Sequence, residues 1–143
     1  MYIVVFGSCE NTTSSPPANT TVQAAEAVGI TFHEGNWESA LAKAKKENKL
    51  IFLDVSASWC GPCKRLKKNT FPDERVGNYF NENFISVEVD GEIGEGVNLV
   101  QQYRVEGYPS LFFINGDGEV ITKTMGFLPP SEFIKFGKSV LKK

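Results

Sequence analysis

The segment that most constrains this chain runs from Leu50 to Lys64. Leu50-Ile51-Phe52-Leu53-Asp54-Val55 is a near-continuous apolar run, followed shortly by Trp59-Cys60-Gly61-Pro62-Cys63-Lys64. A strand this apolar is covered on both faces, so the chain must supply helices to either side of a sheet. A helix is expected to begin around Gly61. Two cysteines at this spacing in a first helical turn can close a small disulfide. Cys60 is expected to be exposed there, near backbone N–H groups without helical partners and near the positive end of the dipole, both of which favour a thiolate. Cys63, one turn deeper, is expected to be sheltered and able to resolve a mixed disulfide.

Two other uses of the pair carry less weight. A tetrahedral structural zinc site needs four ligands. Cys9 and His33 are the plausible additions, and no second ligand pair stands at a supporting spacing, so no metal is expected. A purely structural crosslink over so short a loop constrains the unfolded chain little.

The 143 residues are 41% hydrophobic and 22% charged, which suits one domain with a core of its own. The 15 Lys and Arg against 17 Asp and Glu leave a net charge of −2. All the basic residues lie at or beyond Lys43, and Glu10 and Glu26 are the only charges in the first 30 positions, so the chain from Ile30 onward is neutral. A nucleic-acid binder needs a basic surplus against phosphates, and this chain has none. Nor does the sequence contain the roughly 18 consecutive apolar residues of a spanning helix.

The hydrophobic pattern predicts the order βαβαβαββα. Ile30-Thr31-Phe32-His33 alternates as a short strand ended by Gly35. Asn36 caps a helix from Trp37 to about Asn48, with Trp37, Ala40, Leu41 and Ala44 on one face. The helix from Gly61 runs through Lys68, Pro72 interrupts it, and Asp73 restarts a helix to about Asn81. Phe84 to Asp90 is a strand and Glu95 to Tyr103 a short helix. Ser110 to Asn115 and Glu119 to Thr124 form a hairpin about Gly116-Asp117-Gly118. Ser131 opens a last helix with Phe133, Phe136 and Val140 on one face. One crossover pair with a terminal hairpin makes an α/β domain, a central mixed β-sheet with helices on both faces.

The first residues are a different material. Positions 11–21 read NTTSSPPANTT, polar and without apolar anchors, as expected of a tether. Ahead of it, Met1-Tyr2-Ile3-Val4-Val5-Phe6-Gly7-Ser8-Cys9 is a short apolar run, two small residues and a cysteine. That pattern resembles the end of a bacterial lipoprotein signal, in which the cysteine is lipidated. The run is short and lacks a basic n-region, which fits a start truncated from a longer signal. The expected division is residues 1–29 as signal-like segment and tether, and residues 30–143 as the folded domain. Cys9 is the candidate lipidation site and hence a membrane anchor, the alternative being a disordered tail with an incidental cysteine.

Over roughly Ile30 to Lys143 the sequence resembles the thioredoxin family. The string Trp59-Cys60-Gly61-Pro62-Cys63-Lys64 carries the resemblance, with Asp54 six residues before Cys60 and Gly107-Tyr108-Pro109-Ser110 ahead of a strand. Asn69-Thr70-Phe71-Pro72-Asp73-Glu74-Arg75-Val76 narrows it towards the C-terminal domain of the membrane protein DsbD and secreted Bacteroidetes thioredoxin-like proteins. The resemblance implies a thioredoxin fold and a thiol–disulfide oxidoreductase. Cys60 would attack a substrate disulfide, Cys63 would resolve it, and Asp54 would be the buried acid that moves the proton of Cys63. It further implies a cis bond at Pro109, a substrate-docking surface of Trp59, Gly61, Pro62, Tyr108 and Pro109, and no cofactor beyond the redox-active disulfide. Val87-Glu88-Val89-Asp90 departs from the family, because Glu88 stands where a lysine neighbours the buried acid. A like charge there should raise the Asp54 pKa or that of Glu88, the two titrating as a pair, which makes Glu88 a candidate proton-transfer neighbour.

Lys64, Arg65, Lys67 and Lys68 read as a solvated face, His33 as a surface residue at a strand end, and Trp37 as packing between helix and sheet. The expected activity is reduction of protein disulfides, since the Gly-Pro pair is the one found in reducing thioredoxins. Isomerase or oxidase activity, or a binding or chaperone module on the same scaffold, are the alternatives. Expected partners are disulfide-containing proteins and an upstream thiol electron donor, with the protein itself monomeric. The expected location is extracytoplasmic, periplasmic and lipid-anchored, with the cytoplasm as the alternative.

Overall fold

The computed structural model describes residues 28–142. The tether and the Cys9 lipidation reading lie outside them. Strand β1 (Leu50–Ser56) is central in a four-stranded sheet of order β2-β1-β3-β4. It pairs in parallel with β2 (Phe84–Asp90) and antiparallel with β3 (Ser110–Ile114), which in turn pairs antiparallel with β4 (Val120–Met125). The sheet is therefore mixed, as the crossover and terminal hairpin require. Asn115 shapes the hairpin, its side-chain oxygen accepting from the N–H groups of Asp117 at 3.0 Å and Glu119 at 2.9 Å.

Alternation along β1 divides the core. Ile51, Leu53 and Val55 face one side, where they meet Ile85, Val87 and Val89 of β2. Helix α1 (Trp37–Glu47) closes this side with Trp37, Ala40 and Ala44, and α4 (Glu95–Gln102) adds Leu99. Asn36 caps α1 as its side chain predicts, accepting from the Ser39 N–H at 2.8 Å. Phe52 faces the other side, with Asp54 and Ser56 following it by the same alternation. There it meets Leu66, Phe71, Val76, Phe80 and Phe133, brought by α2 (Gly61–Arg65) and its continuation, by α3 (Glu74–Asn83) and by α5 (Pro130–Leu141). Phe52 is at the centre of an aromatic cluster, edge-on to Phe80 at 5.3 Å and to Phe133 at 5.2 Å.

Two elements depart from the pattern. The strand expected over Ile30–His33 is reduced to a single parallel bridge between Phe32 and Ser86. The N–H of Ile30 is taken by Phe71 O at 2.9 Å and that of Thr31 by the Asn81 side chain at 2.8 Å, so neither joins a ladder with β2. The helix expected to run through Lys68 changes character at Leu66, where Leu66–Thr70 forms a π-helical turn. Its wider turn is closed by the bond from Phe71 N–H to Leu66 O at 2.8 Å. That turn lets Leu66, Thr70 and Phe71 all be buried.

Phe133→Ala is expected to cost about 3–5 kcal/mol by urea unfolding, as other buried Phe→Ala truncations do. Val120→Ala, on exposed β4, should stay within roughly 0.5 kcal/mol. Equal losses at the two positions would contradict this description of the core.

Candidate active site

β1 ends at Ser56, and Cys60 is the N-cap of α2, in extended conformation with Pro62 in the first turn. Proline belongs there because its missing N–H would have no helical partner anyway. Cys60 and Cys63 form a disulfide with their Cα atoms 5.3 Å apart. Cys60 Sγ accepts from the Cys63 N–H at 3.2 Å. An N–H aimed at the sulfur stabilises a thiolate there once the disulfide opens. The expectation that Cys60 is exposed is corrected, since Cys60 is only 3% exposed. Ala57, Cys63 and Tyr108 pack against it, so the solvent-facing part of the motif is Trp59, Gly61 and Pro62.

The Tyr108–Pro109 peptide bond is cis, and Tyr108 packs against the cluster of Ala57, Cys60 and Cys63. The Tyr108 ring stands edge-on to Trp59, with centroids 5.9 Å apart. Trp59 is 66% exposed, yet its indole N–H donates to Glu92 Oε1 at 2.6 Å, which fixes an otherwise free ring. Glu92 is held in turn by its own N–H, which donates to Asp90 Oδ1 at 2.8 Å. Burial, then the charges of Glu92 and Asp90, push the Tyr108 hydroxyl above its usual pKa. Gly91 is needed where it stands, because a Cβ there would lie 2.7 Å from the Tyr108 ring and hydroxyl. Ser110 closes the loop, donating from Oγ to Gly107 O at 2.6 Å.

Asp54 is 1% exposed, and its Oδ1 has no hydrogen-bond partner among the described residues. Alternation directs its carboxyl to the side of the sheet that α2 covers. In register it pairs with Glu88 of β2 and Leu111 of β3. Burial pushes its pKa up to about 8, and the neighbouring Glu88 charge pushes the same way while Lys67 opposes. Burial is the larger cause because a carboxylate loses its hydration there and gains no hydrogen bond in return. At neutral pH the group is thus mostly a neutral acid, within reach of giving or taking a proton.

The structure brings together Asp54 and Glu88 on one side of the sheet, and Cys60, Cys63, Trp59 and Tyr108 at its end. His33 instead shares a hydrogen bond with Ser39 at the start of α1, 2.8 Å between Nε2 and Oγ. Among the described residues no group of three or more His, Cys, Asp or Glu side chains is placed to hold a metal ion. Two residues at the site escaped the sequence reading. Lys67, grouped there with a solvated face, places Nζ 2.7 Å from Glu88 Oε1. It had no distinct signal, because Lys67 is exposed like its basic neighbours and its partner Glu88 lies on another strand. Glu92 had none either, since its partner Trp59 is distant in sequence.

An acid with a raised pKa destabilises the fold in a defined pH window. Below the ordinary carboxyl value near 3.8, both folded and unfolded chains hold the proton; between there and about 8 the folded chain alone holds it. Stability contributed by this group is therefore lost progressively as pH rises through that window. Asp54→Asn is expected to be little different from the unmodified protein near pH 4. It should be more stable by a few kcal/mol above pH 8, read as unfolding midpoints across a pH series. A stability difference that does not change with pH would contradict the burial of the charge.

This geometry has counterparts. A family model for a thioredoxin-like domain matches residues 37–141. The thiol:disulfide interchange protein DsbD of Colwellia psychrerythraea is 33% identical over 110 residues, covering 73% of this chain and 18% of that protein. DsbD of Pseudoalteromonas atlantica is 25% identical over 143 residues, covering 98% and 23%. The chain thus spans about a fifth of the length of these curated relatives. The solution structure of a proposed disulphide-isomerase from Bacteroides thetaiotaomicron superposes with TM-score 0.71 at 44% identity, covering 83% of this chain and 98% of that one. The oxidised C-terminal domain of Neisseria meningitidis DsbD gives 0.62 at 26%, covering 77% and 97%. With the dicysteine turn and the proline loop in the same fold, the chain belongs to the thioredoxin-like family.

Proposed function

We propose that this thiol–disulfide oxidoreductase works in the reducing direction, on disulfides of other proteins. The observation that carries the reading is the Cys60–Cys63 disulfide at the start of α2, with the Cys63 N–H donating to Cys60 Sγ. In the reduced enzyme the Cys60 thiolate attacks one sulfur of a substrate disulfide, and the other substrate sulfur leaves as a thiolate. Cys63 then loses its proton to the Asp54 carboxylate and attacks Cys60 Sγ. The mixed disulfide breaks, the second substrate thiolate leaves, and the enzyme ends as the Cys60–Cys63 disulfide. Two electrons have passed to the substrate, and an upstream dithiol protein must return them. The chemistry needs no cofactor and no metal.

The docking surface in this reading is Trp59, Gly61, Pro62, Tyr108 and Pro109. An extended substrate segment lies along the proline loop in the manner of an added strand. The Gly61-Pro62 pair supports reduction over oxidation. Isomerisation is the second reading, and the name of the Bacteroides thetaiotaomicron neighbour favours it. A scaffold kept only for binding would have no use for the intact cysteine pair.

The reading extends to the whole chain as a monomeric domain of residues 30–143 on a tether. Its location would be extracytoplasmic and periplasmic, with Cys9 as the lipid anchor. The sequence around Cys9 supports this, as does the likeness to DsbD. No helix among the described residues is long and apolar enough to cross a membrane.

Insulin reduction by dithiothreitol is expected to accelerate with the wild-type protein and to stay at the uncatalysed rate with Cys60→Ser. Equal rates for the two proteins would refute the activity. In a glutathione or dithiothreitol buffer series, the potential should lie nearer the reducing value of about −270 mV than the oxidising value of about −120 mV. A potential near the latter would reverse the direction.

A further inference from the structure

The proton that Asp54 exchanges with Cys63 must pass to or from water, and Asp54 itself is sealed. The π-helical turn Leu66–Thr70 carries Lys67 over the edge of the sheet, where its ammonium meets the Glu88 carboxylate at 2.7 Å. Glu88 stands directly across from Asp54 in the β1–β2 register, and alternation puts the two on one side of the sheet. β2 is an edge strand in the described sheet, and a crevice of about 320 Å³ opens beside it. Val28, Ile30, Phe71 and Pro72 line that crevice, and Lys67 and Glu88 are its charged members. One carboxyl is therefore buried dry, and its neighbour is paired to an ammonium where water can enter.

We infer that Lys67 is a positioning residue for proton transfer: through its ion pair with Glu88 it controls how readily the Asp54 carboxyl gives up and takes its proton. This rests on the reading of Asp54 as the base for Cys63. The charged groups that bear on Asp54 are few. Glu88 comes from β2 and Lys67 from the π-helical turn, β3 presents apolar Leu111, and Asp90 of β2 acts on Lys67 rather than on Asp54. The Glu88 charge adds to burial in opposing a charge on Asp54. Lys67 cancels part of that opposition and adds an attraction of its own, so the carboxylate needed as base exists at a lower pH than it otherwise would. Partial burial works against the Lys67 charge, yet the Glu88 hydrogen bond and charge, with Asp54 and Asp90, hold its pKa above the usual value. Lys67 therefore stays an ammonium throughout the working range. In turnover the proton leaves Cys63 Sγ for Asp54, and then passes to water on the side of the Lys67–Glu88 pair. The sulfur–sulfur exchange is unchanged.

The test compares the wild type with Lys67→Met, Lys67→Arg and Glu88→Gln by two measurements. The first follows the Asp54 side-chain carboxyl carbon by NMR in the oxidised proteins across pH. Its midpoint is expected to move up in Lys67→Met, down in Glu88→Gln, and to stay near wild type in Lys67→Arg. The second is the pH profile of insulin reduction, in which Lys67→Met should lose roughly three- to tenfold at pH 7 and recover as pH rises. Lys67→Arg should keep the wild-type profile. A merely structural role would lower all pH points together and would not shift the two charge variants in opposite directions. The inference is overturned if Lys67→Met titrates with the wild type or moves the same way as Glu88→Gln. If no variant, nor the wild type, reduces insulin, the reductase reading fails, while the carboxyl titration still decides the role of Lys67.

Discussion

The burial of β1 on both faces is the constraint from which the rest of this structure follows. A strand flanked by β2 and β3 and covered above and below has no solvated side on which to place a polar residue. Helices α1 and α4 supply one cover, and α2, α3 and α5 the other. The same constraint makes Asp54 unusual. Every other position from Ile51 to Val55 is apolar and fully buried, and a carboxyl among them forgoes hydration for no hydrogen bond at Oδ1. A fold tolerates such a group at a cost in stability when the group has a task.

That task is set by what stands around it. The end of β1 turns into α2 at Cys60, so the strand that buries the acid also delivers the sulfur pair. Two layers of charge lie beyond Asp54, Glu88 beside it and Lys67 outside Glu88. Their order matters, because burial keeps the acid neutral, the inner negative charge adds to that effect and the outer positive one limits it. At the other margin of the site, Asp90 and Glu92 use their oxygens to fix backbone and Trp59. The same short stretch, Glu88 to Glu92, thus borders the buried acid on one side and holds Trp59 on the other.

Most of the architecture was legible in the residues. The apolar run of β1, the Asn36 and Asp73 caps and the Gly116-Asp117-Gly118 turn each have a local cause, and local causes can be read from a sequence. The strand expected at Ile30–His33 failed for a non-local reason. Phe71 O and the Asn81 side chain took its N–H groups first, and neither is near in sequence. The π-helical turn was invisible in the same way, since it answers to packing of Leu66, Thr70 and Phe71 against distant elements. At the site, the cysteine pair and Asp54 stood out by motif and by a charge in an apolar strand. The burial of Cys60 did not, because Tyr108 covers it from a loop far along the chain. Lys67 was hidden among three other basic residues whose side chains face water.

The account depends above all on Cys60 being the thiolate of the pair. Its most direct test is the pH dependence of alkylation in the reduced protein, with the modified residue mapped by mass spectrometry. The account predicts that Cys60 reacts before Cys63, with a midpoint clearly below the value of about 8.5 for a free cysteine. A midpoint at or above that value, or first modification at Cys63, would contradict it.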